Sequence, residues 1–251
     1  MQVFGIGKSD IGKVRANNED TIYVSNERLG MLPNLFVVAD GMGGHNAGEV
    51  ASLGAVTAFC NHLAENHASA ECDSECIRQI LTQSLVSANE HVHGDAQNTP
   101  DHAGMGTTLS ACSIIDNMLI FTHVGDSRIY IAGNDEITQL SRDHTLVADM
   151  VEDGSLTRQE ARCHPNKNIL TRAVGTDTGV NIDDGRVSLE GAKYVLLCSD
   201  GLTDMLDDSD IYQILHTDSS MEAKIEMMIA KALEAGGDDN ISVILIGWGC
   251  E

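Results

Sequence analysis

The chain has 251 residues, of which 15 are Lys or Arg and 38 are Asp or Glu, so its formal net charge is −23. A field of this sign repels polyanions and argues against a nucleic acid partner. The sequence has no apolar run of the roughly 20 residues that span a bilayer, and its first residues, MQVFGIGKSD, lack the pattern of a signal peptide. We therefore expect a cytoplasmic protein without membrane contact.

The seven cysteines are scattered and form no Cys-x-x-Cys pair, which predicts reduced thiols rather than a disulfide framework. Cys72 and Cys76 are spaced by one helical turn and could share a soft metal ion, but two thiols are fewer ligands than a zinc site uses. With only three prolines, no Ser/Gly-rich linker and no internal repeat, the chain is expected to form one domain over residues 1–251.

Short runs rich in β-branched residues and bounded by turn residues predict strands. They lie at residues 35–39, 109–115, 118–124, 129–132, 194–198 and 241–246. Asp116-Asn117 predicts a two-residue hairpin turn, and Gly125-Asp126-Ser127 predicts a second one. Neighbouring hairpins pair antiparallel, so we expect antiparallel sheets.

Three segments carry a single apolar stripe at helical spacing. The stripes are Val50, Leu53, Cys60 and Leu63; Ile77, Ile80, Leu81, Leu85, Ala88 and Val92; and Met221, Ile225, Met228, Ile229 and Leu233. A helix with one apolar stripe covers another layer, which predicts helices packed over sheets.

Residues 141–176 fit neither pattern. The segment is polar and mixes short helical stretches, at 144–151 and 157–162, with loop. We interpret it as a surface flap, because long irregular connections of this kind are commonly functional.

Five aspartates lie at the ends of predicted strands. Asp40, Asp126 and Asp200 follow strands, whereas Asp20 and Asp239 precede them. Each alone could be an ordinary turn residue. Clustered carboxylates without basic neighbours repel one another unless a hard cation compensates, and an oxygen-only ligand set favours Mg²⁺ or Mn²⁺ over zinc. The pattern therefore indicates a divalent-cation site.

The segment Asp40-Gly41-Met42-Gly43-Gly44-His45 opens the first predicted helix. Glycine beside a ligand lets the backbone approach an ion, so the Gly41 carbonyl could coordinate as well. A glycine-rich turn at a helix N-terminus can hold phosphate, but the Lys-Ser/Thr of a P-loop is absent, which disfavours a nucleotide-binding fold. His45 is either a proton donor beside the carboxylates or a solvated side chain.

Seven short motifs extend over nearly the whole chain. They are Arg15-Ala16-Asn17-Asn18-Glu19-Asp20, Asp40-Gly41-Met42-Gly43-Gly44-His45, Gly106-Thr107-Thr108, Gly125-Asp126-Ser127-Arg128, Leu170-Thr171-Arg172-Ala173-Val174-Gly175, Ser199-Asp200-Gly201-Leu202 and Asp238-Asp239-Asn240. In sequence and order they resemble the metal-dependent protein phosphatases, the protein phosphatase 2C (PPM) family, and in particular its short bacterial members.

The resemblance implies an α+β fold, a four-layer α-β-β-α sandwich of two antiparallel sheets flanked by helices, with a flap at about 141–176. It implies a serine/threonine protein phosphatase of bacterial signalling that is a monomer and acts on phosphorylated proteins, those of a serine/threonine kinase. Hydrolysis would proceed by in-line attack of a water that bridges two Mg²⁺ or Mn²⁺ ions, without a phosphoenzyme.

Carried over residue by residue, the resemblance assigns metal ligands. They are Asp20, Asp40, Gly41, Asp126, Asp200 and Asp239. Asp40 would contact both core ions, and Asp126 together with Asp200 would hold a weaker third ion.

The resemblance also assigns residues around the ligands. Glu19 and Asn240 would lie behind them and support the site. Arg15 would bind the substrate phosphate and take part in catalysis, and His45 would be the general acid. The flap varies within the family, so the roles of His144 and His164 stay open.

Two other classes of protein remain as alternatives. One is a non-catalytic signalling module that binds a phosphorylated partner, which the loss of a metal carboxylate would favour; all are present. The other is an acidic cation-binding protein, which would give no role to Arg15 or His45, and the chain has no EF-hand loop. Hydrolysis assayed with Mn²⁺, with and without chelator, separates the three.

Overall fold

The computed structural model of the chain describes residues 2–43, 47–65 and 73–249. Its strands are β1 (Gln2–Asp10), β2 (Asp20–Ser25), β3 (Leu35–Met42), β4 (Gly106–Thr107), β5 (Leu109–Ile115), β6 (Met118–Val124), β7 (Arg128–Gly133), β8 (Ile137–Gln139), β9 (Asp183–Ser188), β10 (Ala192–Cys198) and β11 (Ile241–Gly249). Its helices are α1 (Ala47–Glu65), α2 (Ser74–Asn98), α3 (Leu146–Glu152), α4 (Arg158–Arg162), α5 (Asp200–Thr203), α6 (Asp208–Leu215) and α7 (Met221–Ala235), with a 3-10 turn at Pro100–His102. Strands β5 and β6 coincide with their predicted bounds.

Two antiparallel sheets form within the described residues. The first has the strand order β1-β11-β10-β7-β8, and the second has the order β2-β3-β5-β6-β9, with β4 paired to β3. The strand pairings along both sheets are antiparallel. The prediction of antiparallel sheets is confirmed.

Three apolar clusters lie between four layers. The first joins α1 and α2 to the second sheet, through residues such as Phe59, Leu81 and Val37. The second fills the space between the sheets, through Phe36, Phe121, Val195 and Ile244. The third joins the first sheet to α5, α6 and α7, through Leu202, Ile211, Met228 and Leu245. The predicted α-β-β-α sandwich is therefore confirmed.

The two predicted hairpin turns have different outcomes. Asp116 and Asn117 both have positive φ angles, 49° and 61°, and they join β5 to β6 where Ile115 pairs with Met118. This is the geometry of a two-residue hairpin, as predicted. The prediction for residues 125–127 is wrong, because β6 belongs to the second sheet and β7 to the first. Apolar residues of β6 and β7 pack face to face in the layer between the sheets, so the turn crosses the sandwich.

Helix α1 buries a different face from the one its large side chains predict. Leu53 is 56% exposed, whereas Phe59 and Leu63 are buried. Much of the buried face consists of small residues, namely Ala47, Gly48, Ala51, Ser52 and Ala55. Small side chains let the helix lie close to β3, which decides the face. The stripe residues of α2 and α7 are buried or partly buried, as predicted.

Strands β1 and β9 escaped prediction because glycine and polar residues weaken their strand pattern. The structure accounts for their glycines. A Cβ on Gly5 of β1 would collide with the ring of Phe36, and a Cβ on Gly185 of β9 would lie 2.8 Å from the ring of Phe121. Each glycine leaves room for an aromatic ring of the inter-sheet layer.

The segment 141–176 holds α3 and α4, close to the two helical stretches predicted there. A capping box at Thr157 and Glu160 begins α4. The two ends of the segment are tied together, because Thr145 forms an isolated bridge with Leu170 and the Thr171 N–H donates to the His144 carbonyl over 2.8 Å.

Among the described cysteines, Cys60, Cys112, Cys163 and Cys198 carry free thiols, but Cys76 is disulfide-bonded. The expectation of reduced thiols is wrong for Cys76. Cys72 lies outside the described residues, but the disulfide leaves Cys76 without a thiolate, so the alternative of a soft metal ion shared by the two cysteines is not supported. No helix in the described ranges is both long and apolar enough to cross a bilayer.

Candidate active site

The five predicted aspartates come from both sheets. Asp20 and Asp40 are direct neighbours across β2 and β3. Asp200 begins α5 directly after β10, and Asp239 lies two residues before β11, the neighbour of β10 in the first sheet. Asp126 lies in the turn that crosses from one sheet to the other. The strand ends thus bring carboxylates from distant parts of the chain to one end of the sandwich.

Electrostatic coupling shows that the carboxylates have converged. Burial raises the pKa of Asp40 well above its usual range, and repulsion from Asp20, Asp200, Asp126 and Asp239 raises it further. A carboxyl group is affected by four others in this way only when all share one site. The five aspartates therefore lie within electrostatic reach of one another.

The pKa values of Asp200 and Asp20 are raised as well. Burial, followed by Asp204 and Asp239, raises the pKa of Asp200 to about 7, although a hydrogen bond with Asp40 opposes the shift. Burial also raises the pKa of Asp20 to about 6, against hydrogen bonds from Ser242 and Ser199. Without a cation, the cluster therefore retains protons that isolated carboxylates would lose.

Two carboxylate oxygens in the cluster lack partners. Oδ1 of Asp20 and Oδ1 of Asp200 are buried and accept no hydrogen bond from any described residue. Buried polar atoms are ordinarily paired, so an unpaired carboxylate oxygen calls for a ligand. Hard oxygens in an acidic cluster suit Mg²⁺ or Mn²⁺.

The protein side chains do not form a complete cage. The described residues contain no group of three or more His, Cys, Asp or Glu side chains arranged to hold a metal ion by themselves. Mg²⁺ commonly keeps several waters and takes only one or two protein carboxylates. The residues present therefore fit an ion that keeps much of its hydration shell.

The Gly106-Thr107-Thr108 motif fixes the backbone of Asp40, a role that sequence reasoning missed. The Asp40 N–H donates to Oγ1 of Thr108 over 2.9 Å, and the Thr108 N–H donates to the Asp40 carbonyl over 2.8 Å. Oγ1 of Thr107 also donates to that carbonyl, over 2.8 Å. Hydrogen bonds on both sides of the residue hold its side chain in the cluster.

Asp20 is held from the opposite sheet. Oγ of Ser199 donates to Oδ2 of Asp20 over 2.8 Å and accepts from the Ser242 N–H over 2.9 Å. Ser199 was noted only as part of a motif, and nothing local in the sequence signals this contact. It joins the two sheets at the candidate site.

Glu19 and Gly41 lie at a close approach between β3 and α1. The Gly41 N–H donates to the Glu19 carbonyl over 3.1 Å, and a Cβ on Gly41 would collide with the backbone of Gly48 in α1. The predicted supporting residue Asn240 accepts the Glu19 N–H over 2.8 Å and donates to the carbonyls of Ile11 and Asn17. Asn240 thus holds the segment that carries Arg15 and Glu19.

Arg15 lies at the rim of the cluster. Its Nη2 donates to Oδ2 of Asp239 over 2.5 Å, and 47% of its side chain is exposed. The structure therefore places a guanidinium group beside the carboxylates and open to solvent. His45 lies outside the described residues, so its position is not part of this geometry.

Two further acidic residues surround the site, and sequence reasoning missed both. Asp143 and Asp204 each raise the pKa of Asp126, after burial and Asp200. Each has a cationic partner: Arg128 donates to Asp143 over 2.7 Å, and Lys167 pairs with Asp204. Neither residue ends a predicted strand, which is why the strand-end pattern did not select them.

The two flap histidines differ. His144 is buried and contacts Gly125, the residue before Asp126. Nδ1 of His164 accepts the Asn166 N–H over 3.2 Å within the flap, and no described contact links it to the carboxylates.

A sandwich of this architecture, with an acidic cluster and an arginine at one end, defines a phosphatase-type metal-dependent hydrolase. Residues 6–236 match the family model described as protein phosphatase 2C. The chain belongs to the protein phosphatase 2C family.

Relatives and solved structures of similar length support this assignment. The chain is 39% identical over 239 residues to the protein phosphatase PhpP of Streptococcus pneumoniae, covering 95% of this chain and 94% of the relative. It is 36% identical over 241 residues to the serine/threonine phosphatase stp of Listeria innocua, covering 95% and 93%.

Among solved structures, Stp1 of Staphylococcus aureus is similar with a TM-score of 0.93 and 30% identity, covering 100% of this chain and 96% of that one. The catalytic domain of a phosphatase named PstP, solved with two manganese ions, is similar with a TM-score of 0.81 and 32% identity, covering 98% and 97%.

Proposed function

We propose that this protein is a serine/threonine protein phosphatase, which hydrolyses phosphoserine and phosphothreonine in other proteins and depends on Mg²⁺ or Mn²⁺. The observation that carries the proposal is the convergence of five aspartates, with Arg15 at their rim, in a chain of the protein phosphatase 2C family. The relatives named as serine/threonine phosphatases support the substrate class.

We assign the ligands as the family resemblance does. Asp40 would hold both core ions, and the other core ligands would be the Gly41 carbonyl, Asp200, Asp239 and Asp20, with Glu19 beside it. Asp126 and Asp200 would hold a weaker third ion. The unpaired oxygens of Asp20 and Asp200 support the core assignment. Burial and the charge of Asp200 raise the pKa of Asp126, which supports the third ion between these two residues.

When bound, the ions supply an activated water nucleophile and neutralise charge on the phosphoryl group. Arg15 binds the substrate phosphate, because its planar guanidinium matches phosphate oxygens with two parallel hydrogen bonds. Asn240 orients Arg15 by fixing the backbone on both sides of it. His45 donates the proton to the leaving seryl or threonyl oxygen.

Hydrolysis passes through no phosphoenzyme. Burial raises the pKa of Cys60 and of Cys198 to about 12, and it also raises the pKa of Cys112. A thiol attacks as its thiolate, so these cysteines are poor nucleophiles near neutral pH. Direct attack by water on phosphorus is consistent with this chemistry.

The remaining assignments concern the protein in its cell. We assign residues 1–251 to one catalytic domain with a flap at about 141–176, and we assign the protein to the cytoplasm as a monomer. Its substrates are the products of a serine/threonine kinase. The net charge of −23 would repel such phosphoproteins, so divalent cations must reverse the local field before a phosphate group enters.

The test is phosphate release from a phosphothreonine peptide by the purified protein, with Mn²⁺ and with chelator. We expect release with Mn²⁺, none with chelator, and recovery when excess Mn²⁺ is added back. Binding of the peptide without release would instead identify a non-catalytic module. Binding of Mn²⁺ without peptide binding or release would identify a cation-binding protein.

A further inference from the structure

Gly125 and His144 exchange two hydrogen bonds. Gly125 lies in the turn between β6 and β7 that carries Asp126, and His144 lies in the flap. The Gly125 N–H donates to Nδ1 of His144 over 3.1 Å, and the His144 N–H donates to the Gly125 carbonyl over 2.8 Å. His144 is only 1% exposed. A side chain of the flap is therefore joined to the residue that precedes Asp126.

The contacts of His144 fix its tautomer. Because Nδ1 accepts a backbone N–H, the ring proton must lie on Nε2. Nε2 then donates to Oδ2 of Asp183 over 3.1 Å, while Arg172 donates to Oδ1 of Asp183 over 2.7 Å. Nη1 of Arg172 also lies 3.2 Å from Nε2, a contact between two donors that the shared carboxylate of Asp183 offsets. Burial lowers the pKa of His144, which favours this neutral ring. Asp183 and Arg172 thus orient the imidazole toward Gly125.

Contacts with Thr108 also restrict the turn at residues 125–127. Gly125 has a φ angle of 110°, and a Cβ there would lie 2.5 Å from Cβ of Thr108. Oγ of Ser127 lies 2.7 Å from Oγ1 of Thr108, the group that accepts the Asp40 N–H. Asp126 therefore sits between a contact to the Asp40 segment on one side and the imidazole of His144 on the other.

A second buried histidine supports the same junction. Nδ1 of His123 lies 2.8 Å from Oγ of Ser110, and Nε2 lies 3.0 Å from the Arg142 carbonyl, two residues before His144. The rings of His123 and His144 are 4.9 Å apart. The first residues of the flap are thus packed against the turn rather than free of it.

We propose that His144, oriented by Asp183 and Arg172, is a positioning residue that holds the Asp126 turn and so sets the affinity of the weakest divalent-cation site. The proposal rests on the proposed role of Asp126 as a ligand of that site. Groups behind metal ligands commonly change metal affinity by about 10- to 100-fold when they are removed. His144 would be the contact through which the flap influences the carboxylate cluster.

Two substitutions test the roles of the two ring nitrogens of His144 independently. In His144→Asn, the side-chain oxygen takes the place of Nδ1 and can accept the Gly125 N–H, but it does not reach Asp183. In His144→Gln, the amide nitrogen takes the place of Nε2 and can donate to Asp183, but Gly125 loses its acceptor. His216→Gln is the matched control, because His216 contacts the carbonyls of Tyr212 and Gly133 on another surface.

The first readout needs no activity and no metal. Hydrogen exchange of the Gly125 amide in the metal-free protein should accelerate about tenfold or more in His144→Gln, and much less in His144→Asn or His216→Gln. The second readout is Mn²⁺ binding by calorimetry. The weakest binding step should weaken about tenfold in His144→Gln, while the tighter steps and the other two variants keep the wild-type values.

Equal losses in His144→Asn and His144→Gln would overturn the proposal, because a purely structural role predicts them. If the weakest Mn²⁺-binding step keeps its wild-type affinity in His144→Gln, the proposal is overturned as well. If His144→Gln does not fold, His144→Leu serves instead, because it fills the buried position but offers the Gly125 N–H no acceptor. If the weakest Mn²⁺-binding step keeps its wild-type affinity in that variant, the proposal is overturned in the same way. Wild-type protein that binds Mn²⁺ but releases no phosphate refutes the proposed function alone.

Discussion

Beyond the effect of burial, Asp200, which begins α5 after a strand of the first sheet, raises the pKa of Asp40, which lies in β3 of the second sheet. The cause is repulsion between two carboxylates that have converged from opposite sheets. Without a cation, the site is therefore expected to keep a proton that a bound ion would displace.

This relationship predicts how stability depends on pH without metal. Burial and neighbouring aspartates raise the folded pKa of Asp200 from 3.8 to about 7 and that of Asp20 to about 6. A raised folded pKa means that the contribution to stability is complete below pH 3.8 and is lost as the pH rises through about 7. We expect the melting temperature of the chelated protein to fall between about pH 4 and pH 7.

Mn²⁺ should remove most of this fall, because the ion stabilises the ionised carboxylates. Thermal melts across that pH range, with chelator and with saturating Mn²⁺, measure the difference. Asp200→Asn should flatten the metal-free profile, whereas the exposed control Asp101→Asn should leave it unchanged. A chelated profile as flat as the Mn²⁺ profile would contradict the prediction.

Replacing a single core carboxylate should abolish hydrolysis and spare the fold. For Asp40→Asn and Asp239→Asn we expect no Mn²⁺-dependent release of phosphate from a phosphothreonine peptide. Because Asp40→Asn also removes a repelling charge, the chelated variant should be at least as stable as wild type near pH 7.5. Circular dichroism and thermal melts check the fold. Full activity in either variant would refute the ligand assignment.

Thr108 and Thr122 offer a matched pair of buried threonines. Thr108→Val leaves the Asp40 N–H without its acceptor, which should lower the free energy of unfolding by about 1–3 kcal/mol and also reduce kcat. Thr122→Val removes a buried hydroxyl that has no partner among the described residues, so it should be neutral or stabilising. Urea unfolding and steady-state kinetics measure both. Equal stability of the two variants would count against the role of Thr108.

His45→Ala tests the proton donor. We expect a lower kcat on phosphoserine and phosphothreonine peptides, whose alkoxide leaving groups need a proton. The loss on p-nitrophenyl phosphate should be smaller, because its phenolate leaves more readily. Steady-state assays of both substrates under the same Mn²⁺ concentration give the comparison. Equal losses on the two substrates would argue against the acid role.

The sequence by itself determined the strands and carboxylates whose signals are local. Strands β5 and β6 follow from continuous β-branched runs and the Asp116-Asn117 turn, because these depend on neighbours along the chain. The five aspartates could be selected for the same reason, since each stands at the end of a recognisable strand. Motif order then indicated the family, and the fold followed from it.

Only the tertiary structure decided the contacts between distant residues. Strand β1 pairs with β11, and Gly5 within it leaves space for the ring of Phe36. The turn at Gly125 crosses between the sheets, and its flanking strands pack face to face. The partners of Asp40, Thr107 and Thr108, are 67 and 68 residues away, and Ser199 is 179 residues from Asp20. The contacts of Asp40 depend on which strands pair within the second sheet, and the contact of Ser199 depends on how the two sheets stack. No local pattern of residues specifies either.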